Sequence, residues 1–218
     1  MNLAEDEKKK AAVEAITYIK HDSIVGIGTG STVNYFVKEL GKIKDKIDCA
    51  VASSVATTEL LHDEGIRVIE LNSSGDLDIY IDGADEADNR KHLIKGGGGA
   101  LTREKIIANS SRTFICIVDE TKMVQTLGSF PVAVEVIPMA RSFVARQIVK
   151  LGGSPEWREG FRTDNDNWIL DVYNLDLLNS IEMERKLNDI PGVVTNGIFA
   201  QRPPDKIIVG RKKGIEII

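Results

Sequence analysis

The stretch from Ile79 to Lys105 holds the residue types best suited to catalysis. An apolar run ends in two carboxylates, Asp82 and Asp85, and is followed by the lysine–glycine loop, Lys95 to Gly99, and then by Glu104. A carboxylate can move a proton between neighbouring carbon atoms, and a lysine can stabilise negative charge on a carbonyl oxygen. These residues favour proton transfer beside a carbonyl group, although hydrolases and transferases use the same residue types.

Glu104 is predicted to lie on the apolar side of a helix that begins near Ala100. Residues three and four positions apart share a helix face, which aligns Glu104 with Leu101 and Ile107. A buried carboxylate needs a partner or a shifted pKa, and functional sites commonly contain such groups. The helix dipole alone also favours a glutamate in a first turn, so the spacing leaves both interpretations open.

The glycines of the lysine–glycine loop also need a physical reason. Glycine loses more backbone freedom on folding than any other residue, so four in succession are costly. One reason is close approach of the main chain to a ligand, because amides before a helix attract an anion. A flexible surface loop is the alternative.

A second glycine-containing segment, the hydroxyl loop, comprises Gly28 to Thr32. It joins a strand predicted at Ile24–Ile27 to a helix predicted at Val33–Leu40, an arrangement that directs backbone amides at a phosphate. Its spacing, G-x-G-x-G-S, differs from the G-x-G-x-x-G of dinucleotide sites, and the next strand ends in serines rather than in an acidic ribose ligand. The hydroxyls favour a terminal phosphate, and a turn in which Thr29 or Ser31 caps the helix is the alternative.

The predicted elements position these motifs at one rim of a parallel sheet. Strands alternate with helices up to Val118, and ligands of such sheets bind beyond the carboxyl ends of the strands. From Phe130 to Phe199 the order is β-α-β-β-α-β, which is typical of a ferredoxin-like domain, and the tail can rejoin the first sheet. We expect an α/β protein with a Rossmann-like parallel-sheet domain, residues 1–127 plus 203–218, and a smaller ferredoxin-like α+β lid domain, residues 128–202.

Composition and charge exclude several classes of protein. The net charge is -5 and the basic residues are scattered, so we expect no nucleic-acid partner. Apolar runs are too short for a membrane helix, and the charged N-terminus lacks the apolar core of a signal peptide. Cys49 and Cys116 lie in apolar runs, where free thiols are buried and which suits a reducing compartment. We expect a cytoplasmic protein.

Metal-ligand patterns are missing from the sequence. His21, His62 and His92 have no ligand spacing and are predicted to be surface residues. The segment from Asp164 to Asn167 lacks the glycine and the distal glutamate of a calcium loop, so we predict a turn. We expect no metal and no cofactor. Lys122, after the strand that begins at Phe114, is either an anion ligand or a solvated side chain.

Seven strings together resemble a known family, the A type of ribose-5-phosphate isomerase: GIGTGSTV, IDGADE, IKGGGGALTREKIIA, FICIVDETK, FPVAVEVIPMARS, VARQIVKLGG and IPGVVTNGIFA. The resemblance extends from about Ala11 to Gly210. The DGAD and KGGGGALTREK strings are specific together, whereas GTGST is shared with related sugar-phosphate and CoA-transferase folds. The resemblance implies a metal-free aldose–ketose isomerase that interconverts ribose 5-phosphate and ribulose 5-phosphate in the pentose phosphate pathway, as a homodimer or homotetramer.

The resemblance also assigns roles to residues. It implies that Glu104 is the base that moves a proton between C1 and C2 through an enediolate. The chemistry of the residue types themselves suits Lys95 to the enediolate oxygen, and Asp82 and Asp85 to orienting hydroxyls or assisting ring opening. The implied substrate-binding residues are Thr29, Gly30, Ser31, Thr32, Gly83, Ala84, Gly96, Gly97, Gly98, Lys122 and Lys8. The segment after DGAD, Glu86 to His92, is expected to be an exposed loop.

Two other functions share parts of this pattern. A regulator that senses phosphosugars borrows this fold, but such proteins carry a DNA-binding domain, and no helix-turn-helix or basic patch precedes the motifs here. A CoA transferase uses its glutamate as a nucleophile, and the full-length isomerase spacing speaks against it. Glu104 and Lys95 argue against a pure sensor, because binding alone needs neither a base nor an enediolate partner.

Overall fold

The structure, a computed structural model, describes residues 3–218. Its helices are α1 (Leu3–Ile16), α2 (Ser31–Gly41), α3 (Val55–Asp63), α4 (Leu101–Asn109), α5 (Arg141–Lys150) and α6 (Ser180–Asn188). Its strands are β1 (Ser23–Ile27), β2 (Ile47–Ala52), β3 (Leu77–Asp82), β4 (Glu86–Ala87), β5 (Leu93–Ile94), β6 (Ser111–Asp119), β7 (Val132–Val136), β8 (Ser154–Trp157), β9 (Trp168–Tyr173), β10 (Val193–Asn196), β11 (Ile198–Phe199), β12 (Lys206–Arg211) and β13 (Gly214–Ile217). Within this part of the chain, no helix is both long and apolar enough to cross a membrane.

The contacts divide the chain into two compact units. The larger unit comprises Met1–Ala84, Arg103–Met123 and Pro204–Ile218, and the smaller one comprises Asp85–Thr102 and Val124–Pro203. The sequence-based division placed residues 85–102 in the larger domain. Their contacts assign them to the smaller unit, because β5 pairs with β11 and the amide of Lys95 donates to the carbonyl of Gly197.

The larger unit contains a six-stranded sheet with the order β13-β12-β6-β3-β1-β2. Neighbouring strands from β12 to β2 are parallel, and β13 is antiparallel to β12, so the tail rejoins the first sheet as predicted. The sheet is largely apolar because helices cover its faces, and Ala11, Ala12 and Ala15 of α1 are buried in its core. This confirms the predicted Rossmann-like parallel sheet.

The smaller unit contains a four-stranded antiparallel sheet with the order β10-β7-β9-β8. Along the chain its elements follow as β7, α5, β8, β9, α6 and β10, which confirms the ferredoxin-like pattern. Val144 and Ile148 of α5, together with Met183 and Leu187 of α6, share a core with the sheet. The turn predicted at Asp164 to Asn167 joins β8 to β9.

Two segments of the chain depart from regular strands. Val68 forms only a single bridge to Ala50. The segment from Val193 to Phe199 is interrupted at Gly197, after which β11 joins a separate three-stranded sheet with β4 and β5. A Cβ on Gly197 would lie 2.1 Å from the carbonyl oxygen of Lys95, so the change of sheet occurs where only glycine fits.

The segment from Glu86 to His92 is not an exposed loop, which corrects the sequence-based expectation. Glu86 and Asp88 are buried because their carboxylates accept backbone amides. Glu86 binds the amides of Gly128 and Phe130, whereas Asp88 binds amides within its own turn. His92 is also mostly buried, with a side chain that is 12% exposed, so only His21 and His62 are surface histidines as predicted.

Candidate functional site

The hydroxyl loop begins directly after β1 and leads into α2. Gly30 occupies the position before the helix with a φ of 122°, a conformation that favours glycine. Thr29 does not cap the helix; its hydroxyl donates to the Oγ of Ser54 at 3.0 Å and lies 2.8 Å from the Oγ of Ser53. The loop is therefore anchored to the start of α3, while the first turn of α2 carries the exposed Ser31 and the buried Thr32.

Asp82, at the end of β3, holds the hydroxyl loop by accepting the amide of Thr29. Its Oδ1 accepts the amide of Thr29 at 3.0 Å and that of Gly83 at 2.7 Å, and its Oδ2 accepts the hydroxyl of Tyr80. The carboxylate is fully buried. A Cβ on Gly28 would lie 1.9 Å from Oδ1, so only glycine lets the carboxylate approach the loop this closely.

The charges of Asp82 and Glu104 both act on the hydroxyl of Tyr80. Burial raises the pKa of the Tyr80 hydroxyl well above its ordinary value, and the negative charges of Asp82 and Glu104 raise it further. Glu104 therefore lies close enough to Tyr80 for its charge to act on the hydroxyl. The two carboxylates, one from β3 and one from α4, surround a hydroxyl that stays protonated.

Glu104 itself is 4% exposed and lies in the first turn of α4. Ile107 and Ala108, three and four residues further on, are buried too, which confirms the buried helix face predicted from the spacing. Glu104 also lies next to the positive end of the dipole of α4. Both features that the sequence left as alternatives are thus present together.

The lysine–glycine loop belongs to the smaller unit and follows β5. Lys95 is 3% exposed, and its ammonium group lies 5.7 Å from the centre of the Phe199 ring. The amide of Gly97 donates to the Oδ2 of Asp85 at 2.8 Å. This unit thus brings together Asp85, Lys95 and the glycines, as the larger unit brings together Thr29, Asp82, Gly83 and Glu104.

Sequence reasoning missed Arg158, which holds the other side of the lysine–glycine loop. Its guanidinium donates to the carbonyl oxygens of Gly96 at 3.2 Å and Gly97 at 3.1 Å. The same group is paired with Asp171. Arg158 follows β8, far along the chain from the loop, so no local pattern could have indicated this contact.

The remaining predicted site residues lie in the larger unit. Lys122 is half-buried in a short 3-10 helix, Glu120–Lys122, that follows β6. Lys8 of α1 forms an ion pair with Glu5 at 3.1 Å. Ala84 is half-buried just after the carboxyl end of β3. In residues 3–218, no group of three or more His, Cys, Asp and Glu residues is arranged to hold a metal ion.

Each of the two units carries groups suited to a part of proton transfer on an anionic small molecule. The start of α2, with the hydroxyl loop before it, offers amides and hydroxyls to an anion. A buried carboxylate on α4 can act as a base, because a group removed from water responds strongly to its neighbours. A buried lysine in the smaller unit can stabilise developing negative charge.

Comparisons with known proteins identify the family. The family model of ribose 5-phosphate isomerase A (phosphoriboisomerase A) matches residues 49–214. A ribose-5-phosphate isomerase A from Legionella pneumophila (strain Corby) is 64% identical over 208 residues, which cover 95% of this chain and 96% of the relative.

Solved structures give the same result. Ribose 5 phosphate isomerase A from Neisseria gonorrhoeae is 44% identical with a TM-score of 0.98, covering 100% of this chain and 98% of that one. A D-ribose-5-phosphate isomerase solved in complex with phospho-erythronic acid is 40% identical with a TM-score of 0.95, covering 100% and 99%. The chain therefore belongs to the ribose 5-phosphate isomerase A family and is an aldose–ketose isomerase.

Proposed function

We propose that this protein interconverts D-ribose 5-phosphate and D-ribulose 5-phosphate through an enediolate, with Glu104 as the base. The observation that carries the proposal is the carboxylate of Glu104, buried on α4 within electrostatic reach of Tyr80. The relative that binds phospho-erythronic acid supports a sugar phosphate as the ligand.

In the proposed reaction, Glu104 takes the proton from C2 of the open-chain aldose. The electrons of the C2–H bond form the C1=C2 bond, and the carbonyl electrons move to O1, which gives the enediolate. The proton of the O2 hydroxyl passes to O1, and the same carboxylic acid returns its proton to C1 as the C2 carbonyl forms. A buried base suits this step because the reacting carboxylate is not shielded by water.

The other site residues have binding roles in this proposal. The hydroxyl loop from Thr29 to Thr32 binds the phosphate through its amides and hydroxyls, apart from the amide of Thr29, which donates to Asp82. The N-terminus of α2 favours negative charge there. Lys95 stabilises the enediolate oxygen, and Asp85 orients sugar hydroxyls. Gly83, Ala84, Lys122 and Lys8 contact the substrate, as the family resemblance implies.

We propose three further features from the same family resemblance. The enzyme acts in the non-oxidative pentose phosphate pathway, it is cytoplasmic, and it assembles as a homodimer or homotetramer. The two cysteines are buried and free, which agrees with a reducing compartment. Sedimentation or light scattering of purified protein tests the assembly.

The test of the proposed reaction is ketose formation from ribose 5-phosphate by chelator-treated protein without nucleotide. We expect wild-type turnover to survive chelation and the Glu104→Gln variant to lose about 10²-fold or more in kcat, because the amide keeps the shape but is not a base. Glu182→Gln is the matched control, since Glu182 also lies in the first turn of a helix, α6. Its side chain is 44% exposed and pairs with Arg185 and Lys186 on the same helix. Wild-type protein that binds the sugar phosphate without converting it would contradict the proposal.

A further inference from the structure

We infer that Arg158, with Asp171, is a positioning residue that fixes the lysine–glycine loop so that the amide of Gly98 is presented to the substrate as a hydrogen-bond donor. The inference rests on the proposed function for its substrate, but its geometry lies wholly within the smaller unit. The hydrogen bonds of the loop lead to it in three steps.

The first step is the pair formed by Arg158 and Asp171. The Nε of Arg158 donates to the Oδ2 of Asp171 at 2.8 Å, and an Nη donates to Oδ1, which makes the pair bidentate. The arginine side chain is 18% exposed and the aspartate side chain 17%. The ring of Phe161 lies 5.3 Å from the guanidinium carbon. A bidentate, largely buried pair fixes the plane of the guanidinium more firmly than a surface ion pair would.

The second step is the contact with the loop. The remaining N–H groups of Arg158 reach the carbonyl oxygen of Gly96 from both Nη atoms at 3.2 Å, and that of Gly97 at 3.1 Å. Arg158 and Gly96 are separated by 62 positions in the chain. One guanidinium thus binds two consecutive carbonyls, which a single-point ammonium donor could not hold in the same way.

The third step follows from the planarity of the peptide bond. In a trans peptide the carbonyl oxygen and the next amide hydrogen point in opposite directions. Because Arg158 holds the oxygen of Gly96, the amide of Gly97 points away from the guanidinium, where it meets the carboxylate of Asp85. By the same rule, holding the oxygen of Gly97 turns the amide of Gly98 away from Arg158.

The surroundings of Gly98 are open. It is exposed, and a Cβ built on it would have no heavy atom within 4 Å, whereas a Cβ on Gly97 would lie 2.8 Å from the Oδ1 of Asp85. Arg158, held by Asp171, is thus a clamp that binds the carbonyls of Gly96 and Gly97 and leaves the amide of Gly98 for a ligand oxygen. A preorganised amide costs no rearrangement when negative charge develops on that oxygen.

Arg162 supplies a matched control in the same hairpin. Its guanidinium is 57% exposed and pairs with Asp166, within its own turn. Arg162→Met removes an arginine from the hairpin without removing a donor to the loop. Arg158→Met removes the clamp but leaves the largely buried Asp171 without its partner. The principal variant is therefore the double change Arg158→Met with Asp171→Leu, which removes both charges. Arg158→Lys is a second variant, since it keeps a positive charge beside Asp171.

Two measurements test the inference. Hydrogen exchange of peptides covering residues 95–101 reports the loop itself, and calorimetric binding of phospho-erythronic acid reports the donor. In the double variant and in Arg158→Lys, we expect about tenfold faster exchange confined to this loop. Both variants should also bind the acid about 10- to 100-fold more weakly, with a matching loss in kcat/KM for ribose 5-phosphate. Arg162→Met should behave like wild type.

The outcomes separate this inference from the proposed function. Wild-type exchange and wild-type affinity in the folded double variant would overturn the role of Arg158. General acceleration of exchange throughout the smaller unit would also overturn it, because that result describes a structural ion pair rather than a loop clamp. If wild-type protein binds the acid but does not convert ribose 5-phosphate, the proposed function fails, and the exchange and affinity data still decide the role of Arg158.

Discussion

The hydroxyl loop and the lysine–glycine loop are held by groups of opposite charge. In the larger unit the buried carboxylate of Asp82 accepts the amide of Thr29. In the smaller unit the guanidinium of Arg158 donates to the carbonyls of Gly96 and Gly97. The first clamp removes an amide from use by a ligand, and the second leaves the amide of Gly98 available. The difference shows that two glycine-rich loops can present different chemistry although their sequences look alike.

The two clamps also differ in how they respond to pH. Asp82 is bound by the hydroxyl of Tyr80, whose ionisation would place a second negative charge beside the carboxylate. Arginine does not lose its proton in proteins, so the clamp on the lysine–glycine loop has no alkaline transition of its own. Steric changes and pH therefore provide separate ways to disturb one loop without the other.

Gly28→Ala should give the largest effect on stability. The new Cβ would lie 1.9 Å from the Oδ1 of Asp82, so the buried carboxylate or the loop must move. Overpacking of this kind costs roughly 1–3 kcal/mol, and the loss of the Thr29 contact adds to it, so we expect about 3 kcal/mol or more in the free energy of unfolding. Urea denaturation of the variant and the wild type measures the difference.

Gly83→Ala is the control for that experiment. Gly83 is adjacent to Asp82, but its Cβ would meet only backbone oxygens, at 3.8 and 3.9 Å, which are ordinary contacts. We expect its stability to remain within about 1 kcal/mol of wild type. Equal stabilities of the two alanine variants would show that Asp82 does not pack against the loop as described.

Tyr80→Phe should have a smaller effect that depends on pH. The ring keeps its packing against Phe114, with centroids 5.1 Å apart, but Oδ2 of Asp82 loses the hydroxyl donor. Leaving a buried acceptor without this donor should cost about 1–3 kcal/mol near neutral pH. Burial and the carboxylates of Asp82 and Glu104 raise the pKa of Tyr80 in the folded state.

The sign of the pH effect follows from that shift. The unfolded tyrosine ionises near pH 10 while the folded one stays protonated, so the stabilisation is complete below about pH 10 and is lost as the pH rises further. Urea denaturation between about pH 9 and pH 11 should show the wild type losing stability faster than Tyr80→Phe. The pKa of Tyr35 is raised too, by its bond to Glu5, but Tyr35 is present in both proteins and cancels in the comparison. Equal dependence of the free energy of unfolding on pH in the two proteins would contradict the hydrogen bond between Tyr80 and Asp82.

Local periodicity was enough to predict several features of the fold and the site. The spacing around Glu104 places it on a buried face because helix geometry repeats every three to four residues. Apolar runs that alternate with helical segments predict the parallel sheet, and the order of elements predicts the ferredoxin-like unit. These patterns lie within short stretches of sequence, so they can be interpreted without knowledge of the tertiary contacts.

Buried charges could not be predicted in the same way. Glu86 and Asp88 look like surface residues in a polar segment, yet both are buried because they accept backbone amides. Glu135 lies in the middle of β7 with no exposed surface and binds the side chains of Thr163 and Asn167 across the unit. Arg158, which carries the opposite charge, likewise binds backbone groups that are distant in sequence, the carbonyls of Gly96 and Gly97. Each of these roles depends on partners that are distant in sequence, and composition reports only the average behaviour of a residue type.

Gly98→Ala should give the smallest change in stability and therefore sharpens the contrast with Gly28. A Cβ on Gly98 meets no heavy atom within 4 Å, and its backbone is not in the left-handed region, so alanine fits the folded loop. Because alanine restricts the unfolded chain, the free energy of unfolding should be unchanged or higher by up to about 1 kcal/mol. The added methyl group lies beside the amide that faces the ligand, so KM for ribose 5-phosphate should rise while the melting temperature does not fall. Gly97→Ala, whose Cβ would lie 2.8 Å from the Oδ1 of Asp85, is the counterpart that should lose stability. A Gly98→Ala variant with wild-type KM would mean that the amide of Gly98 does not approach the substrate, and the clamp by Arg158 would then serve the loop alone.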